Sequence, residues 1–486
     1  MRNRTLLPAA LLMLGALTLT LTTACSGDAT TTDSAPASSP GPGTDTAPSV
    51  DLTKLKGIKI VSDNSAGDSC RWATSYPAVP GAAPMTAAMK KDVERRLATF
   101  LDDGDDAATG CGGTDGADDF EGKELNISFT FLVVSGDVVG VRLSSLDRGA
   151  AGDGTETRTY WYDGEAQAAE DALGLIADGS RDAFVAAVKN QLKEVQGADP
   201  SYLDATNASS LLDDMTFAAD GSLKADFDRG NVGAPAVGRR SVTFPKATVT
   251  PWLSGFGKRV QQQTTDPSEG LDLGATSTPT PTVPAPKDPG EDATDCAKVK
   301  CIALTFDDGP AAPETADLLT HLAQYKARAT FFLVGQNAAA HPEIVRAEAK
   351  AGHEIANHSW NHPDLTRLTT AEIKSQLART NAVIKQVTGE EPVLFRPPYG
   401  AIDNKVRSAT TLSPVLWDVD TEDWKYRDAN RVAQYVIDKA GRNDVVLLHD
   451  IHPTSVAAVP VILKTLTAEG YHFVTVSRLR AGLGRS

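Results

Sequence analysis

Two adjacent carboxylates, Asp307 and Asp308, close an apolar run in Thr305-Phe306-Asp307-Asp308-Gly309-Pro310. Neighbouring anions repel, so a cation is needed beside them to keep both ionised. A source of cation ligands follows in His358-Ser359-Trp360-Asn361-His362. Two histidines at this spacing share one face if the segment is helical and present both imidazoles to one metal. With Asp308 they make the N₂O ligand set, with an open position, of a hydrolytic zinc site. Asp307 is then free to act as general base on water. All eight histidines of the chain lie from His321 onward, which ties this chemistry to the C-terminal part.

Three further clusters complete the set. In Phe395-Arg396-Pro397-Pro398-Tyr399-Gly400 the prolines exclude helix and pin a turn. A pinned Arg396 beside Asp307 holds that carboxylate ionised, and the Tyr399 N–H is placed to face a developing oxyanion. Asp423 and Trp424 end an acidic, aromatic stretch, and Val445 to Leu448 lead into His449. Amide cleavage needs an acid for the leaving amine, which is His449, oriented by Asp423. Leu447 and Trp424 would line a small pocket for the acetyl methyl. Each cluster alone has an ordinary structural explanation, as a turn, an exposed histidine or a capped core histidine. Asp450 and His452 are near enough to stand behind the site, while His321, His341, His353 and His472 are read as structural or exposed.

Short apolar runs position these groups. Strands are expected at Cys301–Phe306, Ala329–Val334, around His353–Ala356, and at Val415–Asp418, Val445–Leu448 and His472–Val476. Helices are expected at Glu314–Tyr325, Glu343–Ala351, Thr370–Thr388, Asn430–Ala440 and Ser455–Glu469. Regular alternation implies α/β architecture, with parallel strands under helices and catalytic groups at the strands' carboxyl ends.

Taken in order, TFDDGP, HSWNH, RPPYG, DTEDW and VVLLH resemble the five motifs of the polysaccharide deacetylase family with the NodB homology domain, carbohydrate esterase family four. The resemblance covers roughly residues 296–482. It implies a distorted (β/α) barrel and one divalent metal, usually zinc with cobalt or manganese possible, on Asp308, His358 and His362. It also implies Asp307 as the base tethered by Arg396, and His449 as the acid oriented by Asp423. Val445 replaces the family's usual leucine.

The first half of the 486-residue chain has another character. Residues 1–25 read as an export signal. Arg2 and Arg4 precede an apolar Leu6–Leu21, and Thr22-Thr23-Ala24-Cys25 resembles a bacterial lipobox that would lipidate Cys25. The usual lipobox leucine is Thr22 here, so a plain secretory signal is the competing reading. Residues 26–50 are a Ser/Thr/Pro/Ala/Gly tether, and 261–294 a Pro/Thr-rich linker expected to space two domains apart. The separate domain at 51–260 is expected to be α+β, with strands at Leu125–Phe131 and Val138–Leu143, a helix at Arg181–Val195 and a hairpin around Asp220-Gly221. Its hairpins, Phe227-Asp228-Arg229-Gly230-Asn231-Val232-Gly233, Val242-Thr243-Phe244-Pro245 and Trp252-Leu253 resemble the extracellular domain of RsiV-type proteins, which implies lysozyme or wall binding without catalysis. The catalytic domain is assigned to 295–486.

Charge and cysteines fit that division. The net charge is −16. From Cys296 onward 22 basic residues balance 21 acidic ones, whereas the preceding part holds 25 basic and 42 acidic. Such an acidic first half argues against nucleic-acid binding. Apart from Cys25, four cysteines suit an oxidising compartment and are paired locally, Cys70 with Cys111 and Cys296 with Cys301. The sequence therefore points to an extracellular hydrolase of carbon–nitrogen bonds in linear amides. It would remove N-acetyl groups from a cell-wall glycan, most readily peptidoglycan (GlcNAc or MurNAc), touching the membrane only through a lipid anchor. The alternatives are a chitin or chito-oligosaccharide deacetylase, an acetylxylan esterase, or a lysozyme- or wall-binding receptor with a passive C-terminal domain.

Overall fold

The computed structural model describes residues 50, 57–65, 70–102, 122–149, 153–274, 290 and 292–484. The expectations for Cys25, Cys111 and the 26–49 tether fall outside these residues. Cys70 is disulfide-bonded, and Cys296 is joined to Cys301. No described helix is long and apolar enough to cross a membrane.

The first lobe is built on a six-stranded sheet in the order β1-β2-β3-β4-β5-β6. The strands are β1 (Lys59–Asn64), β2 (Cys70–Ala78), β3 (Lys123–Ser135), β4 (Val138–Arg148), β5 (Gly154–Asp163) and β6 (Ala168–Glu170). All neighbours are antiparallel except β2 and β3. The β3–β4 hairpin turns at Gly136, whose φ of 57° suits glycine. A helix at Ala83–Asp102 buries Met85, Met89, Val93 and Phe100 in the same core as Ile127 and Val141. The predicted second hairpin is present as β7 (Asp214–Phe217) and β8 (Leu223–Phe227), extended by β9 (Arg240–Phe244). The expected helix at Arg181–Val195 stops at Leu192.

The helix Gly255–Thr265 carries the first lobe past residue 260, and Gly270 and Asp272 hydrogen-bond to Gly136. The segment assigned to a linker therefore begins as part of the lobe. Nor does it hold two bodies apart: Ala340 of the second lobe is buried in the first lobe's core cluster.

The second lobe is a parallel sheet ordered β14-β13-β12-β11-β10-β16-β15, with β17 beside β10. Its strands are β10 (Lys300–Asp307), β11 (Ala329–Leu333), β12 (Glu354–Asn357), β13 (Leu394–Phe395), β14 (Ser413–Pro414), β15 (Val419–Asp420), β16 (Val445–His449) and β17 (Tyr471–Phe473). Helices between strands cover it, as parallel strands buried on both faces require. The result is the distorted (β/α) barrel expected of an α/β unit. The central strand β10 is buried at every residue but Lys300, and Phe306 stacks on Phe331 at 5.4 Å between ring centroids. The helix Thr370–Thr388 runs as predicted because Thr369 and Glu372 form a capping box and Gly389 closes it at φ 85°. The strand expected at Val415–Asp418 is not formed. The backbone carbonyls of Val415 and Leu416 instead accept hydrogen bonds from Arg396.

Candidate active site

Register brings the clusters together. The parallel pairing of β10 with β16 sets Asp307 opposite His449 at their carboxyl ends. Pairing of Asn357 with Phe395 does the same for the residues that follow, His358 and Arg396. Asp308 leaves β10 with φ 73°, its N–H held by the Phe332 carbonyl and its carbonyl by Asn337 Nδ2.

The HSWNH segment is not a helix. His358 to His362 form a loop in which Ser359 and His362 take φ values of 68° and 60°. The reversal it makes, rather than helical spacing, sets the two imidazoles 4.9 Å apart between ring centroids. The Ser359 hydroxyl accepts from the His362 N–H and secures the loop. His358 Nδ1 donates to the Arg396 carbonyl at 2.7 Å, which leaves its Nε2 lone pair facing Asp308.

These three side chains fit a divalent cation. Asp308 Oδ1 is buried without a hydrogen-bond partner and lies 3.5 Å from His358 Nε2 and 3.4 Å from His362 Nε2. That spacing is close to the edge of a tetrahedron with bonds of about 2.0 Å, which is about 3.3 Å. Burial, with the neighbouring histidine adding to it at His358, pushes both imidazoles down to about 3, so they stay neutral lone-pair donors. Among the described residues this trio is the one group of three or more potential ligands within reach of a common ion.

Two oriented pairs face the trio. Arg396 is fully buried, lies over the Phe332 ring at 4.2 Å, and donates from Nη1 to Asp307 Oδ1 at 2.6 Å and to Thr305 Oγ1 at 2.8 Å. Burial raises the Asp307 carboxyl, and Arg396 and His449 oppose that rise. On the other side Asp423 Oδ1 accepts from His449 Nδ1 at 2.7 Å, while Oδ2 takes the His449 N–H and the Ser455 hydroxyl. Burial disfavours a charged imidazole, but Asp423, Asp308 and Asp307 outweigh it and push His449 up to about 10. His449 Nε2 points back towards Asp308 Oδ2, 4.0 Å away.

Tyr399 sits in the RPPYG turn at φ 60°, its ring edge against His362 and its hydroxyl donating to the His362 carbonyl at 3.4 Å. Leu447 is buried on β16, held through its carbonyl by Thr421, and Trp424 follows Asp423 with its indole nitrogen buried and unpartnered. Neither borders the small cavity at Asp308. The sequence reading missed Ser455, Asn337 and, from the first lobe, Asn64, whose Nδ2 donates to Asp308 Oδ2. Nothing in a linear motif marks a partner 244 residues away.

The polysaccharide deacetylase family model matches residues 294–413. Peptidoglycan-N-acetylmuramic acid deacetylase PdaC of Bacillus subtilis is 30% identical over 429 residues, covering 87% of this chain and 88% of that protein. This chain belongs to the polysaccharide deacetylase family. Peptidoglycan-N-acetylglucosamine deacetylase PgdA of Listeria monocytogenes is 42% identical over 180 residues, covering 37% of this chain and 39% of its own length. A solved structure of B. subtilis PdaC is 43% identical and covers 39% of this chain and 93% of that one, with a TM-score of 0.38. As a polysaccharide deacetylase the chain is a hydrolase, and Asp307, Asp308, His358, His362, Arg396 and Tyr399 lie within the residues the family model matches, with Asp423 and His449 beyond them.

Proposed function

We propose that this deacetylase removes N-acetyl groups from peptidoglycan outside the cell, with Asp308, His358 and His362 holding a zinc ion. The observation that carries the reading is the convergence of two oppositely poised pairs, Arg396–Asp307 and Asp423–His449, on one trio of neutral or anionic ligands. A divalent cation bound there supplies Lewis acidity for the amide carbonyl and for water.

The chain's own residues do the rest. Asp307, held anionic by Arg396, takes a proton from the attacking water as its oxygen bonds to the acetyl carbon. The Tyr399 N–H faces the oxyanion that develops. His449 gives its proton to the amide nitrogen, the C–N bond breaks, and acetate and a free amine leave. Leu447 and Trp424 are assigned to the acetyl methyl.

The relative matched across both lobes is named for N-acetylmuramic acid, and PgdA, matched over 180 residues, for N-acetylglucosamine. MurNAc is accordingly the sugar proposed. The basic and apolar start of the chain supports export, with lipid on Cys25 as the anchor. Acetate release from peptidoglycan, chito-oligosaccharides and acetylated xylan tests the substrate, with mass spectrometry of the glycan fragments naming the sugar. Acetate from peptidoglycan with a free amine on MurNAc is expected. Release from chitin or xylan alone would overturn the proposal.

A further inference from the structure

The catalytic centre faces the first lobe rather than solvent. Asn64 ends β1, is buried, and donates from Nδ2 to Asp308 Oδ2 at 2.5 Å. Its own Oδ1 is buried without a partner. Around this contact Asn126 Nδ2 donates to the carbonyls of Asn361 and His362 at 2.8 and 3.1 Å, and Gln336 Nε2 donates to the Phe129 carbonyl. Glu124 accepts the Asp364 N–H at 2.8 Å, and Arg71 pairs with the Asp364 carboxylate. At the exposed rim Asp63 pairs with Arg427 at 2.6 Å.

The cavity that borders Asp308 between the lobes is too small for substrate. The cavity beside Asp308 measures about 20 Å³, space for about one water molecule. Asp307, Asp308 and His449 are only 3%, 2% and 4% exposed. A sugar of a polymer chain cannot bring its acetamido group among them while the lobes are in contact.

We propose that the first lobe is a lid over the catalytic centre, with Asn64 bonded to Asp308 beneath it. The glycan must then displace the lobe before it is deacetylated. The proposal rests on the deacetylation chemistry above. The contacts that would have to part are side-chain amides on backbone carbonyls, the buried Arg71–Asp364 pair and the charges at the exposed rim.

The test uses the full-length chain loaded with Co²⁺, and reads two things separately. One is the rate of Co²⁺ uptake and of its removal by EDTA without glycan. The other is acetate release from soluble chito-oligosaccharide and peptidoglycan fragments. In Asn64→Ala both exchange rates are expected to rise about tenfold with Kd unchanged, and kcat/KM to rise rather than fall. Asp63→Arg, at an exposed position, sets like charges against Arg427. It should speed exchange about two- to fivefold, and adding Arg427→Glu should restore the wild-type rate. Unchanged exchange in both Asn64→Ala and Asp63→Arg would overturn the lid. So would a lower Co²⁺ affinity together with lower turnover in Asn64→Ala, since Asn64 would then be a fixed positioning partner of Asp308. Faster exchange without acetate from any glycan would uphold the lid and remove the deacetylation reading.

Discussion

Arg396 reaches Asp307, Thr305 and the carbonyls of Val415 and Leu416 from one planar fork. Lysine would keep the charge but not that fork, leaving buried carbonyls without donors and Asp307 free to rotate. In Arg396→Lys kcat should fall about 100-fold with KM and cation affinity nearly unchanged, as measured by acetate-release kinetics and calorimetric titration. Asp423 works on the opposite partner. His449 must be protonated to act as acid, and its rise to about 10 keeps it so across neutral pH. Burial alone would lower that imidazole, so removing the Asp423 charge must bring its pKa down. In Asp423→Asn the alkaline limb of the kcat profile should therefore move to lower pH, with turnover at neutral pH reduced. An unmoved limb would assign that titration to another group. Among the proposed ligands, His358→Ala leaves Asp308 Oδ1 facing one imidazole. Cation affinity should drop by at least about 100-fold in a calorimetric titration, and activity with it.

At the scale of elements the sheet does the positioning, and one of its joints titrates. His353 precedes β12, accepts the Ala329 N–H at Nδ1, and packs edge-on against Phe331. Burial first, then the charge of Arg328, lowers it to about 3. The unfolded chain therefore binds the proton more readily between about pH 6.5 and 3, and stability falls as pH falls through that window. From pH 6.5 to 5 the loss should be about 2 kcal/mol, read from urea unfolding, and His353→Gln should lack that component. The sequence reading left this histidine bland because nothing local shows that it will be sealed under a strand. The same limit explains the other misses. The alternation of short apolar runs with helical stretches made Thr370–Thr388 and β10 legible. The loop from His358 to His362 depends on left-handed turns that spacing cannot reveal, so its residues were found for a wrong local reason. The stretch after Val415 resembles a strand in composition, yet its carbonyls are spent on Arg396, a contact across sequence.

At the scale of the molecule, the two lobes touch through groups that no motif connects, which is why the sequence suggested bodies held apart by a linker. Those contacts give closure a measurable stability of its own. The Asp364 N–H is protected by Glu124 across the interface, whereas β10 amides such as Phe306 are locked inside the parallel sheet. If the first lobe withdraws as a unit, Asp364 exchanges through that sub-global opening and the sheet amides only through deeper unfolding. Salt separates the two further. The Asp63–Arg427 pair lies at the exposed rim and is screened as the Debye length shrinks, while the sheet's hydrogen bonds are not. Raising salt from about 0.05 to about 0.5 M should therefore speed hydrogen exchange at Asp364 several-fold and leave Phe306 unchanged. Equal responses at the two amides would mean that the lobes open only when the whole chain unfolds. The enzyme would then have to admit its glycan by a route other than their separation.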